Sequence, residues 1–413
     1  MSDGFLHPET TLLAATQDCD VRDRSLGRVA ACGPFDIRVL RAFDESYAPG
    51  GDWDRLLAGS RANTVFLLSG WLRAWHETLG QGVDLVLPQI RHQGRLVAAA
   101  AFQVSDGIVE FAGKGPSDYS DVVVANDLEA SVASTLVRSL IQEAQRSVHF
   151  KWGRLTGVPL NESITPSAVF DRRSGLFATE ERRIPAPAMD MDVVEERLQK
   201  KSLRRHERAL ERQGTLTCET YRDAERILPQ LDEFFDQHVR RWQSTEWPSL
   251  FVAEPQRAFY RRFTEHLGRS GVLRFTAVRL DGKLIAAHYG FLHAGRFIWY
   301  KPSFEPDIAK MSPGEVLLKR LLERARDEKA EEFDFTIGDE AFKLRFATKT
   351  RQAVDIHLTG SKILALSRRA RVRAREAGER LLGKQKLNAV VRRVKNGVSG
   401  LRSARAYLSP NSS

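Results

Sequence analysis

Cysteine is scarce in this chain. Cys19, Cys32 and Cys218 are the only three in 413 residues, and no two form a CxxC pair. That spacing argues against a zinc ribbon or a disulfide scaffold and fits a reducing compartment. Long apolar runs are also missing. No stretch approaches about 18 consecutive apolar residues, the length a membrane-spanning helix needs. The opening MSDGFLHPETTLLAATQDCD has neither a basic start nor a long apolar stretch, so no secretory signal is expected. GxSxG, HExxH, Walker A and GxGxxG motifs are absent, and the ten histidines are dispersed, so no metal site is expected. What remains is a long chain with 42% hydrophobic residues, enough for the cores of two or three domains.

The net charge of +10 is unevenly placed. Between 360 and 405 there are 14 Lys and Arg against two acids, Glu376 and Glu379, so the rest of the chain is close to neutral. The terminal stretch also carries a helical apolar spacing through Leu387, Val390, Val391, Val394, Val398 and Leu401. Packing on the body, a disordered basic tail and a reversible anchor to anionic lipid all fit this pattern. Aromatics for base stacking are absent apart from Tyr407, so DNA or RNA is not the expected partner.

One unit occurs twice. Gly94-Arg95-Leu96-Val97-Ala98-Ala99 and Gly282-Lys283-Leu284-Ile285-Ala286-Ala287 align at an offset of 188. Both read as a hairpin followed by a third strand (108–112 and 296–301), a helix (128–146 and 313–329) and a short strand (150–156 and 332–337). Upstream, each copy has a strand (35–41 and 215–221) and two helices (near 53–57 and 70–79; 229–242 and 255–267). The mixed α/β unit β-α-α-β-β-β-α-β is therefore expected in tandem. Between the copies, 193–214 reads as one helix capped by the aspartates at 190–192 and ended by Gly214. Its basic face is either a solvated surface or a rail for phosphate or acidic glycan. In the first copy, Asp127 is placed to cap the helix that follows.

Two motifs in the second copy carry the chemistry. Ser312-Pro313-Gly314-Glu315 reads as a helix start with Ser312 as the cap and Glu315 completing a capping box. A helix N-terminus after a strand is also an anion site, with Lys310 beside it. Gly338-Asp339-Glu340-Ala341-Phe342-Lys343-Leu344-Arg345 follows an apolar strand, at the carboxyl end where sites in α/β sheets lie. Asp339 is expected to cap a short helix and to share its face with Lys343 four residues later. Asp339 can orient or deprotonate an acceptor, and Lys343 can balance charge on it. Glu340 and Arg345 are secondary candidates for substrate binding. His288, within the strand 284–292, either faces the cleft or is a core histidine. No cysteine is placed for a covalent intermediate, and the loop 113–121 either lines the cleft or is a solvent loop.

Lys310-Met311-Ser312-Pro313-Gly314-Glu315, Phe333-Asp334-Phe335 and Gly338-Asp339-Glu340 with Lys343 resemble the GNAT-type acyltransferases of the CelD-like group, found beside bacterial polysaccharide-biosynthesis genes. The tandem arrangement resembles the FemAB/FemX group of aminoacyl transferases. The resemblance implies an α/β fold of two tandem GNAT-like domains with mixed sheets, plus a basic helical C-terminal tail. The boundaries expected are a flexible segment at 1–34, a degenerate N-terminal domain at 35–190, the acyltransferase domain at 191–360 and the tail at 361–413. It implies transfer of an acyl group, acetyl first, from acyl-CoA to a hydroxyl or amine of an envelope glycan or its lipid-linked precursor. An aminoacyl-tRNA donor and a non-catalytic adaptor of polysaccharide synthesis are the alternatives. Lys310, Ser312 and Gly314 are implied as donor contacts, although the usual Gln/Arg-x-x-Gly-x-Gly/Ala loop is reduced here to Lys310 and Gly314. Tyr300 is implied as a general acid and His288 as a further catalytic candidate. The expected location is cytoplasmic, with peripheral contact at the inner membrane face through 361–405.

Overall fold

The computed structural model describes residues 30–32, 35–148, 152–171, 177–243, 245 and 248–382. The first half runs β1 (Ala30–Cys32), β2 (Phe35–Leu40), α1 (Asp52–Ala58), α2 (Ser69–Thr78), β3 (Asp84–His92), β4 (Arg95–Ala99), β5 (Phe102–Ser105), β6 (Ile108–Phe111), β7 (Val123–Val124), α3 (Ala130–Ser147), β8 (Trp152–Pro159), α4 (Thr165–Phe170) and β9 (Phe177–Asp190). The second half runs α5 (Val194–Leu198), α6 (Lys201–Glu211), β10 (Leu216–Tyr221), α7 (Ala224–Ile227), α8 (Leu231–Trp242), α9 (Glu254–Leu267) and β11 (Leu273–Leu280). It continues through β12 (Lys283–His293), β13 (Arg296–Phe304), α10 (Pro313–Asp327), β14 (Glu332–Asp334), α11 (Ala341–Phe346) and β15 (Lys349–Thr359), and α12 (Lys362–Leu382) follows.

The internal repeat is visible in backbone geometry. The hairpin turns fall on Gln93-Gly94 (φ 50° and 80°) and Asp281-Gly282 (φ 48° and 80°). Two consecutive positive φ values belong to the tight hairpin turn that matches strand twist, and glycine takes the second without strain. The next turns, Asp106-Gly107 and Ala294-Gly295, repeat the pattern at the same offset of 188. The apolar run expected after the first turn is split, because the backbone leaves β4 at Ala100-Ala101. β4 then pairs with the end of β3, and β5 with its beginning.

All the strands join one mixed sheet, and its middle has the order β8-β15-β9-β14. The last strand of each half pairs with the parallel strand of the other. β15 lies beside β8, β9 lies beside β14, and β9 and β15 pair with each other from Lys349↔Ala188 to Thr359↔Phe177. Packing follows this exchange. Val354, Ile356 and Leu358 of β15 bury in the core under α3, whereas Met189 of β9 buries in the core under α10. An aromatic seam ties α2 to α9, with Trp71 edge-on to Phe259 at 4.9 Å and to Phe263 at 4.6 Å. Such pairs add to area burial and fix geometry.

Three helix starts differ from expectation. The stretch 193–214 is two helices, α5 and α6, broken at Gln199-Lys200. Leu198 and Leu203 both bury beneath α10, and a spacing of five does not share one face of a continuous helix, so the break turns both inward. Val193, not an aspartate, caps α5, and no side chain bonds there. Glu129 caps α3, and Asp127 instead pairs with Arg95 at 2.6 Å.

Candidate functional site

β13 and β14 run parallel and pair over only three positions, Arg296↔Glu332, Phe297↔Phe333 and Ile298↔Asp334. β13 continues to Phe304, but the chain after β14 turns away toward β9. The Phe335 N–H donates to the Pro187 carbonyl at 3.0 Å, and the Gly338 N–H donates to the Pro185 carbonyl at 2.8 Å. At the turn, Thr336 takes a φ of 57° and its N–H is held by Asp334 Oδ1 at 2.7 Å. The parted strands leave a cavity of about 640 Å³. Its walls are the end of β13, the first turns of α10, the end of α8, and α11 with Glu340.

The start of α10 is not the expected capping box. Ser312 adopts a left-handed conformation (φ 57°, ψ 51°) and its side chain makes no cap bond. Glu315 turns instead to Arg345, whose Nη2 donates to Oε1 at 2.6 Å. The helix start is satisfied through backbone, with the Glu315 N–H donating to the Ser312 carbonyl at 3.0 Å. Gly314 lines the cavity, and a Cβ there would meet the Phe304 ring at 3.3 Å, so glycine keeps α10 close to β13. Lys310 is exposed in the preceding turn, and neither it nor Ser312 lines the cavity.

The Asp339–Lys343 pair also differs. α11 begins at Ala341 with Glu340 as its cap, so Asp339 lies outside the helix and shares no face with Lys343. Lys343 is buried in the cavity wall, donates to the Ile337 carbonyl at 2.8 Å and pairs with Glu340 at 3.0 Å. Gly338, at φ 138°, is what makes room: a Cβ would meet Glu340 Oε2 at 2.1 Å and Lys343 Nζ at 2.7 Å. Asp339 is exposed and is not in the cavity wall, although Glu340, Phe342, Lys343 and Arg345 are.

Four further wall residues were given no role from the sequence. Lys301 lies with its ammonium 4.0 Å from the centre of the Tyr300 ring. Burial lowers its pKa, the Asp118 carboxylate opposes that, and Lys343 adds to it. Its position at the end of an alternating strand was the available signal. Arg241 packs over Phe304 at 4.3 Å and donates to the Pro302 carbonyl at 2.7 Å, and burial pushes its pKa down to about 10. Trp242 and Ser303 bring buried polar atoms, Nε1 and Oγ, that have no partner among the described residues. Such atoms cost stability until a ligand satisfies them.

Tyr300 and His288 are placed differently from the roles expected of them. The Tyr300 hydroxyl is buried, donates to the Pro116 carbonyl at 2.6 Å and pairs with Tyr260 Oη at 2.8 Å. Burial raises its pKa well above the ordinary value. Its proton is therefore committed to the loop 113–121 of the first half. His288 is fully buried and does not reach the cavity. Its Nε2 accepts the Tyr300 N–H at 3.1 Å, its ring stacks on Trp299 at 5.3 Å, and burial lowers its pKa to about 3.

In the first half, β6 and β8 also pair in parallel over three positions, but the space beyond them is filled. Asp121 is buried there, accepting from Thr165 Oγ1 at 2.6 Å and the Val122 N–H at 2.8 Å. Cavities of only about 30 and 100 Å³ adjoin it. The large cavity thus belongs to the second half. Among the described residues, no cluster of His, Cys, Asp and Glu could hold a metal, and no helix is long and apolar enough to cross a membrane.

Residues 197–344 match the family described as acetyltransferase (GNAT) domain. The match lies within the second half. The match runs from the end of α5 into α11, so it contains every cavity-wall residue except Arg345. No curated protein matches the chain significantly. Solved structures do. FemX is 10% identical with a TM-score of 0.55, over 78% of this chain and 96% of that one. The C-terminal domain of a putative lysylphosphatidylglycerol synthetase from Agrobacterium fabrum is 15% identical with a TM-score of 0.51, over 76% and 92%. L-PGS from Bacillus licheniformis is 12% identical with a TM-score of 0.50, over 81% and 98%. At these identities the likeness is one of fold, and it covers more of the chain than the family match does. The expected fold class, a mixed α/β tandem of GNAT-like halves, is the one observed.

Proposed function

We propose that this protein transfers an acyl group, acetyl first, from acyl-CoA to a hydroxyl or amine of an envelope polysaccharide or its precursor. The observation that carries the transfer reading is the cavity between β13 and α10. It combines an apolar slot, the N-terminus of a helix, and the unsatisfied Trp242 and Ser303 atoms. The polysaccharide acceptor rests on the CelD-like resemblance of the GDEAFK segment. In this reading the thioester lies along β13, with its phosphates toward Gly314 and Lys310. The acceptor nitrogen or oxygen attacks the thioester carbonyl, and the new bond forms as the carbon–sulfur bond breaks. Asp339, exposed outside the cavity wall, takes the acceptor's proton by way of solvent, and the thiolate leaves to be protonated by solvent. Lys343 and Lys301, both in the cavity wall, stabilise the oxyanion. Arg345, held by Glu315, and Glu340, held by Lys343, shape the acceptor side.

A second reading, an aminoacyl-tRNA donor, is favoured by the exposed Lys201, Arg204, Arg205 and Arg208 along α6. α6 packs on α10, where Glu207 pairs with Lys319 at 2.9 Å, so this basic surface flanks the helix that walls the cavity. Calorimetric titration with acetyl-CoA and with aminoacyl-tRNA separates the donors. Saturable acetyl-CoA binding, lost in Gly314→Leu, supports the first reading. Binding of aminoacyl-tRNA alone moves the assignment to the second. Binding of neither leaves a non-catalytic adaptor and refutes both.

A further inference from the structure

α12 is held to the body by one narrow stripe. Ala365 is buried, Arg368 Nε donates to Glu181 Oε1 of β9, and Arg369 Nη2 donates to the Ala178 carbonyl at 2.9 Å. Ser361, Ala365, Arg368 and Val372 are the residues that burial marks along this side, at spacings of four, three and four. The opposite side is apolar. Ile363, Leu366, Ala370, Ala374, Ala377 and Leu381 follow one another at spacings of three and four, which places them on a single outward face. All six are exposed, with Ile363 79%, Leu366 53% and Leu381 84% accessible. A stripe of this kind is not ordinary surface, where apolar residues are scattered singly.

Charge is arranged around the stripe. At about 100° per residue, Arg371 falls on one flank and Arg373 and Arg380 on the other. The helix as a whole has seven Lys and Arg against Glu376 and Glu379. A second protein surface would need acidic residues on both sides of an apolar groove. A bilayer containing anionic lipid supplies both features at once, with headgroups at the level of the arginines and acyl chains beneath the stripe. Long arginine side chains can keep their guanidinium groups at the headgroups while their stems cover apolar surface.

We propose that α12 docks flat on an anionic lipid surface, its outward stripe in the acyl boundary and its flanking arginines on the headgroups. The helix thereby fixes the body at the membrane through the Arg368–Glu181 and Arg369–Ala178 contacts. The inference does not depend on the acyl-transfer reading. Residues 383–413, which continue the basic and apolar pattern in sequence, lie outside the described residues.

The test is co-sedimentation of the full-length chain with phosphatidylcholine vesicles, with and without about one third phosphatidylglycerol. Two variants are compared with wild type: Ile363→Asp/Leu366→Asp/Leu381→Asp and Arg371→Glu/Arg373→Glu/Arg380→Glu. Wild type is expected to bind the anionic vesicles, with binding weakened by high salt, and to leave pure phosphatidylcholine unbound. Each variant is expected to bind roughly tenfold or more weakly, with an unchanged unfolding temperature because the altered residues are exposed. Equal binding by wild type and the aspartate variant overturns the proposal. So does a wild type that binds RNA but not vesicles. A large drop in unfolding temperature in the aspartate variant also overturns it, because the stripe would then be covered by the protein itself or by a second copy.

Discussion

Replacing Tyr300 with phenylalanine separates two roles that the sequence could not. The ring packs against Phe66 at 5.3 Å and Phe291 at 5.4 Å, and phenylalanine preserves those contacts. Only the hydroxyl is lost, with its bonds to the Pro116 carbonyl at 2.6 Å and Tyr260 Oη at 2.8 Å. Each bond contributes about 1 kcal/mol net, and a buried carbonyl left without a donor adds roughly 1–3 kcal/mol. The expected destabilisation is therefore about 3–5 kcal/mol, seen as a lower urea midpoint at an unchanged slope. A general acid would contribute about 10²–10⁴ in rate, so its loss would be plain in kcat. The structure predicts turnover within about twofold of wild type wherever the variant is folded. A fall in kcat of a hundredfold with unchanged stability would refute this reasoning and return Tyr300 to the chemistry.

Other outcomes follow from the same geometry. Lys343→Met is expected to lower kcat by about a hundredfold or more, because an oxyanion loses its buried cation. Asp339→Asn should lower kcat while leaving acetyl-CoA affinity unchanged, since the residue lies outside the cavity wall; unaltered turnover in both variants would remove these residues from the mechanism. Acid sensitivity comes from His238 and His288, whose pKa values are lowered to about 3, chiefly by burial. The unfolded chain binds these protons near pH 6.5 and the native state does not, so stability is full above about pH 6.5 and falls as the pH drops toward about 3. Asp121 has the opposite sign, since burial raises its pKa to about 6, and its contribution is present below about pH 4 and lost as the pH rises to about 6. Relative to wild type, Asp121→Asn should therefore gain about 1.4 kcal/mol per pH unit across that window, measurable by denaturant midpoints at three pH values. A difference that stays flat with pH would contradict the buried carboxyl.

Sequence periodicity carried the order of elements well, because amphipathic helices and tight hairpin turns are local features. α2, α8, α9 and the Gly94 and Gly282 turns fall where the pattern placed them. The exchange of β9 and β15 was not legible. Both are long strands, and which neighbour each takes depends on tertiary packing rather than on local alternation. Side-chain partners near the site were misjudged for a related reason. Ser312 and Glu315 have the spacing of a capping box, but the left-handed backbone at Ser312 and the guanidinium of Arg345 decide the outcome. Lys343 was singled out by its position after a strand, whereas its partner Glu340 depends on α11 starting two residues after Asp339. Lys301 on the one hand and Arg241-Trp242 on the other come from two separate stretches and converge only in the folded chain.

The central claim is that the donor occupies the gap between β13 and α10. Hydrogen exchange of the full-length protein with and without acetyl-CoA tests it most directly. New protection confined to 299–304, 313–318 and 340–345 is the predicted result. Protection concentrated instead at 119–121 and 159–163 in the first half, or no change at saturating acetyl-CoA, would contradict the account.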